Sequence, residues 1–370
     1  MLFTTISGEM LGGGQRSLLL HLERLNKKRF RPFLICPSEG DLINKVQKLD
    51  IETTIIKMGS LKRLNFFSIV AAIFKLRRFI KQKNIDLIHT DAPLQTFYAG
   101  IAARLTGKAL IWHVRVSDPE KKLYDKFLFY LASKLIAVSK AVLKRFKGLA
   151  SKSDKFVVIY NGVDLKEFHH QLAGKRFKEE FEIEDDWILV GTLGQLIPTK
   201  GQEIFLKAAA LVSKLIPNVK FIIVGNRNEE YRKKLENLSR DLGIDDKVIF
   251  TRFREDIPQI MSSFDIVVLP SYHFEGFSRV VLEAMASSKP VIATELGGNL
   301  EAVEDGTSGI LVPPGNSNRL AEAILELIKD EDKRNQMGEA GRRRAERLFS
   351  IEKNIAQIEK LYKELLCRYM

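Results

Sequence analysis

Residues 264–294, FDIVVLPSYHFEGFSRVVLEAMASSKPVIAT, decide how this chain folds. The apolar run FDIVVLPS predicts a strand that ends near Ser271, and a helix is predicted from about Ser278 to Ser287. A second apolar run, KPVIATE, follows that helix. Short runs of Val, Ile and Leu that are separated by helices indicate parallel strands covered on both faces. The stretch is therefore predicted to be one β-α-β unit of a parallel sheet.

Two carboxylates, Glu275 and Glu283, stand out in this unit. Glu275 is predicted in the loop at the carboxyl edge of the sheet, where doubly wound folds bind ligands. Glu283 lies about five residues into the helix, roughly 7.5 Å along its axis. Its side chain leans back toward the helix start, where backbone amides attract anions. The pair suits the hydroxyls and diphosphate of a nucleotide-sugar, although solvated loop and helix charges would give the same spacing.

The same alternation of apolar runs and helical segments extends outward over both halves of the chain. Residues 1–168 are predicted to form one Rossmann-like domain and residues 169–351 a second one. A terminal helix at about 352–370 is expected to pack back on the first domain. The polar segment 165–186 contains no strand pattern and is interpreted as the connection. The predicted fold class is α/β, with two doubly wound domains that face each other across a cleft.

The composition describes a globular protein that works in a reducing compartment. Hydrophobic residues make up 45% of the 370 residues and charged residues 28%, as in soluble domains. Two cysteines are too few for a disulfide framework or a cysteine-rich metal site. The start of the sequence has no signal-peptide pattern, and its longest apolar run is too short to span a bilayer. We therefore expect a cytoplasmic protein.

Positive charge is concentrated in the first half of the sequence. The formal net charge is +13, and the first 175 residues carry 31 Lys and Arg against 14 Asp and Glu. No zinc-finger, basic-zipper or aromatic RNA-binding pattern accompanies this charge, so we expect no nucleic-acid partner. An anionic membrane surface or a negatively charged glycan acceptor explains the positive charge at least as well as nucleic acid does.

The run from Glu275 to Gly315 continues as EGFSRVVLEAMASSKPVIATELGGNLEAVEDGTSGILVPPG. It resembles the donor-binding segment of the retaining family-4 glycosyltransferases (glycosyl transferases group 1), which have the GT-B fold. Those enzymes carry EGFxxxxxEAMAxxxPVIA, then GG, an acidic residue and DGxxGxLVxP. Residues 191–210 and 252–271 resemble further blocks of the family, as do LGGGQRSLLLHLERL, IWHVR, LIAVSKAV and VIYNGVDLKEF in the amino half. The resemblance covers nearly the whole chain.

The resemblance implies a role for each polar part of the motif. Glu283 would bind the ribose hydroxyls of the donor nucleotide, and Glu275 would contact hydroxyls of the transferred sugar. Lys200 would neutralise the diphosphate, because charge that builds on a leaving phosphate must be met by fixed positive charge. The backbone that would hold the diphosphate and the sugar is that of Gly276, Phe277 and Ser278.

One position departs from the family pattern. Gln195 stands where the family usually has Arg, and a neutral amide donates hydrogen bonds without a full charge. We expect Gln195 still to face the donor, with Arg254 also at the donor site. Arg252, Arg254 or Arg16 would compensate for the missing charge, and a lower donor affinity is the alternative.

The amino half contributes weaker candidates. Gly13 and Gly14 lie in a glycine-rich loop between a strand and a helix, where a backbone can approach phosphate, although a flexible turn is equally typical. His113 ends a predicted strand, where the family's histidine contacts the transferred sugar, and a structural histidine is the alternative. Asp91 and Asp118 follow strands and are possible acceptor contacts.

The predicted function is a retaining, metal-independent glycosyltransferase with Lys200, Glu275 and His113 as catalytic residues. We recognise no Asp-x-Asp metal motif and therefore expect no cofactor. The family reacts by front-face attack, so no general base is assigned. The donor is a nucleotide-diphosphate sugar, the acceptor a lipid-linked or anionic glycan, and the pathway lipopolysaccharide or cell-surface polysaccharide synthesis. A nucleotide-sugar epimerase and a non-catalytic nucleotide-sugar-binding protein are the alternatives.

The basic segment 61–84 adds a membrane hypothesis. One apolar stripe of this predicted helix should face the sheet, and its members are Ile69, Ile73, Leu76 and Ile80. A second stripe, Phe67, Val70 and Phe74, is edged by Arg77, Arg78 and Lys81. Such a stripe docks on anionic membranes in basic amphipathic helices, here at the cytoplasmic face of the inner membrane, or it is simply a solvated helix face.

Overall fold

The computed structural model describes residues 1–10, 12–59, 66–116, 122–149, 154–169, 174–225, 228–252 and 254–369. Within it the chain forms two compact units. The first unit comprises Met1–Asn161 together with Glu352–Met370, and the second comprises Gly162–Ile351. The sequence analysis places the boundary at residue 168 and assigns 352–370 to the first domain.

A seven-stranded sheet forms the centre of the first unit. Its strands are β1 (Leu2–Thr4), β2 (Phe33–Cys36), β3 (Glu52–Ile55), β4 (Leu87–Thr90), β5 (Ala109–Val114), β6 (Lys134–Ala137) and β7 (Phe156–Val158). The spatial order is β3-β2-β1-β4-β5-β6-β7, and all the described pairs are parallel. The order reverses between β1 and β4, which is where doubly wound folds open a crevice for ligands.

In the described ranges, seven α-helices lie in the same unit as this sheet. They are α1 (Gly13–Arg24), α2 (Asp41–Gln47), α3 (Phe66–Gln82), α4 (Pro93–Thr106), α5 (Lys122–Leu131), α6 (Lys140–Leu143) and the terminal helix α15 (Ile351–Tyr369). The apolar face of α15 is part of the core around Phe3 and Ile111, to which it contributes Ile358, Leu361, Tyr362 and Leu365. Helix α15 therefore completes the core that the first 161 residues begin.

The second unit is built in the same way on six strands. They are β8 (Ile188–Leu193), β9 (Val219–Val224), β10 (Val248–Thr251), β11 (Ile266–Leu269), β12 (Val291–Thr294) and β13 (Ile310–Val312). Their order is β10-β9-β8-β11-β12-β13, again with parallel pairs, and it reverses between β8 and β11. The helices are α7 (Lys175–Glu180), α8 (Gln202–Ser213), α9 (Glu229–Asp241), α10 (Ile257–Ser263), α11 (Arg279–Ala286), α12 (Asn299–Ala302), α13 (Ser317–Lys329) and α14 (Glu331–Leu348).

Residues 264–294 form the β11-α11-β12 unit. Helix α11 spans Arg279–Ala286, within one residue of the predicted bounds at each end. The predicted α/β class with two doubly wound parallel domains is confirmed. The segment 165–186, interpreted as a plain connection, contains the short helix α7.

No helix in the described ranges is long and apolar enough to cross a bilayer.

Candidate functional site

The strand order of the second unit brings two loops together. Strands β8 and β11 are neighbours at the reversal of the sheet, so the loops that follow them leave its carboxyl edge side by side. The loop after β8 carries Gln195 and Lys200, and the loop after β11 carries Glu275. A backbone hydrogen bond from the Tyr272 N–H to the Thr199 carbonyl, 3.2 Å long, joins the two loops.

An ion pair lies where these loops meet. The Lys200 ammonium donates to Oε1 of Glu275 at 2.5 Å, and the Ser271 hydroxyl donates to the same oxygen at 2.6 Å. The Glu275 side chain is 9% exposed, whereas that of Lys200 is 30% exposed. The carboxylate is buried and held by the hydroxyl, and the ammonium is partly exposed to solvent. Such a pair suits a ligand that carries both an anionic group and hydroxyls.

Glycines after β12 fix the loop that bears Glu275. Gly297 has a positive φ of 50°, and a Cβ on it would come within 1.9 Å of the Glu275 carbonyl oxygen. A Cβ on Gly298 would come within 2.1 Å of the Gly276 carbonyl oxygen. Because both positions are glycine, the Gly298 N–H donates to the Glu275 carbonyl at 2.8 Å. The paired glycines of the motif therefore allow one loop to rest on the other.

The helix that follows carries the second carboxylate. Glu283 is buried and accepts a hydrogen bond of 2.9 Å from Arg279, one turn earlier in α11. Both side chains of this pair are about one-tenth exposed, at 9% and 10%. Arg279 is not among the site residues predicted from the sequence. The i,i+4 spacing to Glu283 is the signal that could have identified the pair.

Backbone groups at the start of α11 complete this region. Gly276, Phe277 and Ser278 are buried, and the Phe277 ring packs against Phe349 with centroids 5.3 Å apart. Ser278 is the N-cap residue of α11. The first amides of a helix lack intrahelical acceptors, so this end of α11 favours an anion.

The predicted compensating cation is engaged elsewhere. The Arg254 guanidinium pairs with Glu180 and with Asp256, and its hydrogen bonds hold the pKa of both carboxyls below the usual range. Gln195 is exposed, and its backbone carbonyl accepts a hydrogen bond of 2.9 Å from the side-chain amide of Gln202. Donor binding by Gln195 and Arg254 stays a prediction.

In the first unit, the strand order reverses between β1 and β4, and the segments that follow these strands carry further candidates. Helix α1 begins at Gly13, so Gly13 and Gly14 are its first two residues and do not lie in a loop ahead of it as predicted. A Cβ on Gly14 would meet the Arg115 side chain only at 3.9 Å. Asp91 follows β4, and burial raises the pKa of its carboxyl to about 6 against the opposing charge of Arg115. Asp118, the other acceptor candidate, lies outside the described residues.

His113 is in a buried network that sequence reasoning did not predict. Its Nδ1 is 3.2 Å from His89 Nε2 in the neighbouring strand, and His89 Nδ1 is 2.5 Å from the Tyr362 hydroxyl of α15. The same hydroxyl is 3.1 Å from His21 Nε2 of α1. Burial lowers the pKa of all three histidines, to about 3 for His21, and the charge of Arg115 lowers each further. All three imidazoles are therefore neutral at pH 7.

The chain contains one Asp-x-Asp sequence, Asp330–Asp332, which corrects the expectation that it has none. It lies between α13 and α14, where Asp330 caps α14 by accepting from the Lys333 backbone N–H at 2.9 Å. This sequence therefore caps a helix, and it does not lie at the end of a strand. Among the described residues, no group of three or more His, Cys, Asp or Glu side chains is placed to hold a metal ion.

Comparisons with known proteins agree with this geometry. Residues 11–167 match the family model described as Glycosyltransferase Family 4, and residues 174–344 match that described as Glycosyl transferases group 1. An uncharacterized glycosyltransferase of Methanocaldococcus jannaschii is 30% identical over 82% of this chain and 83% of its own length.

Two further proteins are similar over nearly their full lengths. The UDP-Gal:alpha-D-GlcNAc-diphosphoundecaprenol alpha-1,3-galactosyltransferase of Escherichia coli is 26% identical over 96% of this chain and 95% of its own. The crystal structure of Anabaena HepE in complex with UDP and glucose superposes with a TM-score of 0.86 at 26% identity, covering 98% of each chain.

Proposed function

Because the chain belongs to glycosyltransferase family 4 of the group 1 glycosyl transferases, we propose that it transfers a sugar to a hydroxyl with retained anomeric configuration and without a metal ion. It has the GT-B fold and is a nucleotide-sugar glycosyltransferase of glycan biosynthesis. The observation that carries the proposal is the Lys200–Glu275 ion pair at the reversal of the second sheet, with Glu283 in the helix that follows.

In the proposed reaction Lys200 exchanges its partner. Its ammonium is partly exposed, so a donor diphosphate that binds beside it replaces Glu275 as its counter-ion. Glu275 stays in place because Ser271 still donates to it, and it is then available to accept hydrogen bonds from the sugar. Lys200 and the first amides of α11 supply the positive charge that the departing diphosphate requires.

The proposed sugar transfer needs no side chain as a general base. The bond from the anomeric carbon to the diphosphate breaks, and the acceptor oxygen attacks that carbon from the same face. The acceptor proton passes to the departing phosphate oxygen, which gains negative charge as it leaves. The anomeric proton coupling of the product, measured by NMR, distinguishes retention from inversion.

Glu283 is proposed to bind the ribose. A buried carboxylate that is oriented by Arg279 is a strong acceptor for two adjacent hydroxyls. We propose a uridine diphosphate sugar as the donor, because the HepE structure holds UDP and the Escherichia coli relative uses UDP-Gal.

We expect a UDP-sugar to raise the melting temperature of the protein more than the guanosine and adenosine analogues do. Glu283→Gln should weaken donor binding about tenfold or more, since a neutral amide loses the charge-assisted hydrogen bonds. A thermal-shift titration measures both effects. Glutamine is preferred to alanine because it still offers Arg279 an acceptor.

A matched control is Glu236→Gln, which alters another i,i+4 pair with arginine, Arg232, in the same unit. This control should keep the donor-induced shift. Equal loss in the two variants, or a full shift in Glu283→Gln, would contradict the ribose assignment. Nucleotide release that needs no acceptor, together with an epimerised donor, would overturn transfer itself.

A membrane-bound acceptor is proposed for the first unit. In α3 the stripe expected to face the sheet is buried at Ile73, Leu76 and Ile80. Phe66, Phe67 and Phe74 are 73%, 79% and 55% exposed, and Arg78 and Lys81 on the same helix are exposed too. Residues 61–65 of the predicted basic segment lie outside the described residues. Exposed aromatic rings beside cations match the requirements of an anionic bilayer surface.

The chain should co-sediment with phosphatidylglycerol-containing vesicles at low salt and detach at high salt, because screening weakens the attraction. Replacing Phe66 and Phe67 by serine should reduce binding several-fold. Leu215→Ser is the control, since Leu215 is also exposed, at 62%, but lies in the second unit. Absence of binding to anionic vesicles at low salt would refute the membrane proposal.

A further inference from the structure

Four buried polar rings are connected in the first unit, and together they reach from α15 to the end of β5. Tyr362, His89 and His113 form a linear sequence of hydrogen bonds, 2.5 Å and 3.2 Å long, and His21 joins it at the Tyr362 hydroxyl. None of the four side chains is more than 4% exposed. An apolar core would be satisfied by phenylalanine at these places, so the polar atoms call for an explanation.

Arg115 sets the direction of the hydrogen bonds. A guanidinium has only donors, and Nη2 of Arg115 is 3.5 Å from His113 Nδ1. That nitrogen therefore presents its lone pair, and the single N–H of the neutral imidazole is on Nε2. The opposite arrangement would bring the N–H of His113 Nδ1 against a positive donor.

The rest of the network follows from this one choice. Because His113 Nδ1 accepts, His89 donates from Nε2 and must accept at Nδ1. The only hydroxyl proton of Tyr362 is then directed to His89. The Tyr362 oxygen in turn accepts from His21 Nε2. Each of the three hydrogen bonds that join the four rings then has one donor and one acceptor.

The network ends in a donor without an acceptor. His113 Nε2 is buried and has no hydrogen-bond partner in the described part of the chain. An unsatisfied buried N–H costs about 1–3 kcal/mol, and a ligand oxygen bound at this nitrogen would remove that cost. His113 lies at the carboxyl end of β5, where parallel sheets bind ligands.

We infer that Tyr362, acting through His89 and alongside Arg115, is a positioning residue that holds His113 as an Nε2–H donor for a sugar hydroxyl at the carboxyl edge of the first sheet. That the ligand of His113 is a sugar rests on the proposed function, whereas the tautomer of the His113 imidazole does not. Helix α15 would thus take part in the reaction although it follows the second unit in the sequence.

The tautomer is measured directly by NMR of the whole chain labelled with ¹⁵N-histidine, in which only six histidines occur. Protonated and lone-pair imidazole nitrogens resonate far apart, and single-histidine variants assign the signals. In the unaltered chain His113 should be protonated at Nε2. Tyr362→Phe removes the donor to His89, so the His89 and His113 signals should move toward mixed tautomers.

Tyr98→Phe is the matched control. Tyr98 is another fully buried tyrosine of this unit, and its hydroxyl donates to the Gly59 carbonyl at 3.0 Å instead of to a histidine. It should leave the imidazole signals unchanged. Protonation of His113 at Nδ1 in the unaltered chain, or an unchanged His113 signal in Tyr362→Phe, would overturn the inference.

Kinetics provide the second readout. Tyr362→Phe should lower kcat about tenfold, the equivalent of one lost hydrogen bond, with the donor KM changed less than twofold. In a His113→Gln background the same substitution should cause no further loss, and a loss of equal size there would overturn the relay. If the chain transfers no sugar, the proposed function fails, while the NMR measurement still decides the tautomer.

Discussion

Lys200→Ala should lower kcat by about 10²–10³, because the leaving diphosphate loses its fixed positive charge. The donor KM should rise much less, since that charge matters most when the bond to the sugar breaks. The fold should tolerate the change: the Lys200 side chain is 30% exposed, and Ser271 continues to hold Glu275. Steady-state kinetics with the donor identified by thermal shift measures both constants.

The control for this variant is Lys234→Ala. Lys234 also pairs with a carboxylate of the second unit, Glu203, at 2.9 Å. Its kcat should remain within twofold of the unaltered enzyme. If Lys200→Ala retains more than one-tenth of the activity, another cation carries the leaving group and the proposed mechanism is wrong.

Acidification from pH 7 to pH 5 should destabilise the first unit, by roughly 2 kcal/mol through His21 alone, whose pKa is lowered to about 3. Three histidines have pKa values well below 6.5 in the folded state: His21, His89 and His113. Below pH 6.5 these histidines are therefore protonated in the unfolded chain but stay neutral in the folded chain. Stability is therefore lost as the pH falls through 6.5. Asp91 opposes this in part, since its raised pKa of about 6 lets the folded state take up a proton first.

Urea unfolding at several pH values tests this expectation. The chain has two tryptophans, and a Trp187→Phe background leaves Trp112, which is buried in β5, as a probe of the first unit. His21→Phe should reduce proton uptake on unfolding by about one below pH 6. An unfolding midpoint that stays constant between pH 7 and pH 5 would show that the histidines are not buried in neutral form.

Local sequence patterns predict much of the architecture. The β11-α11-β12 unit is found within a residue of the predicted helix bounds, because its apolar runs and its loop are specified within about 30 residues of sequence. The two doubly wound sheets follow from the same alternation. Glu275 is predicted in a loop at a strand end and is found there.

Contacts between distant parts of the sequence were harder to predict. Lys200 and Glu275 are both candidates from the sequence, but their ion pair depends on β8 and β11 being neighbours, which no local pattern states. Tyr362 is 273 residues from His89, and its contact depends on how α15 rotates about its own axis. A tyrosine on an amphipathic helix looks like any other core residue.

Helix α15 also has a consequence for how the chain is made. Strand β1 is synthesised before the other strands, yet the core around Phe3 lacks Ile358 and Tyr362 until residues 162–351 have been synthesised. The second unit is continuous in sequence, whereas the first is complete only after α15 has been synthesised. We therefore expect the unit that starts first to finish last, and its nascent sheet to be the part of the molecule that most needs a chaperone during translation.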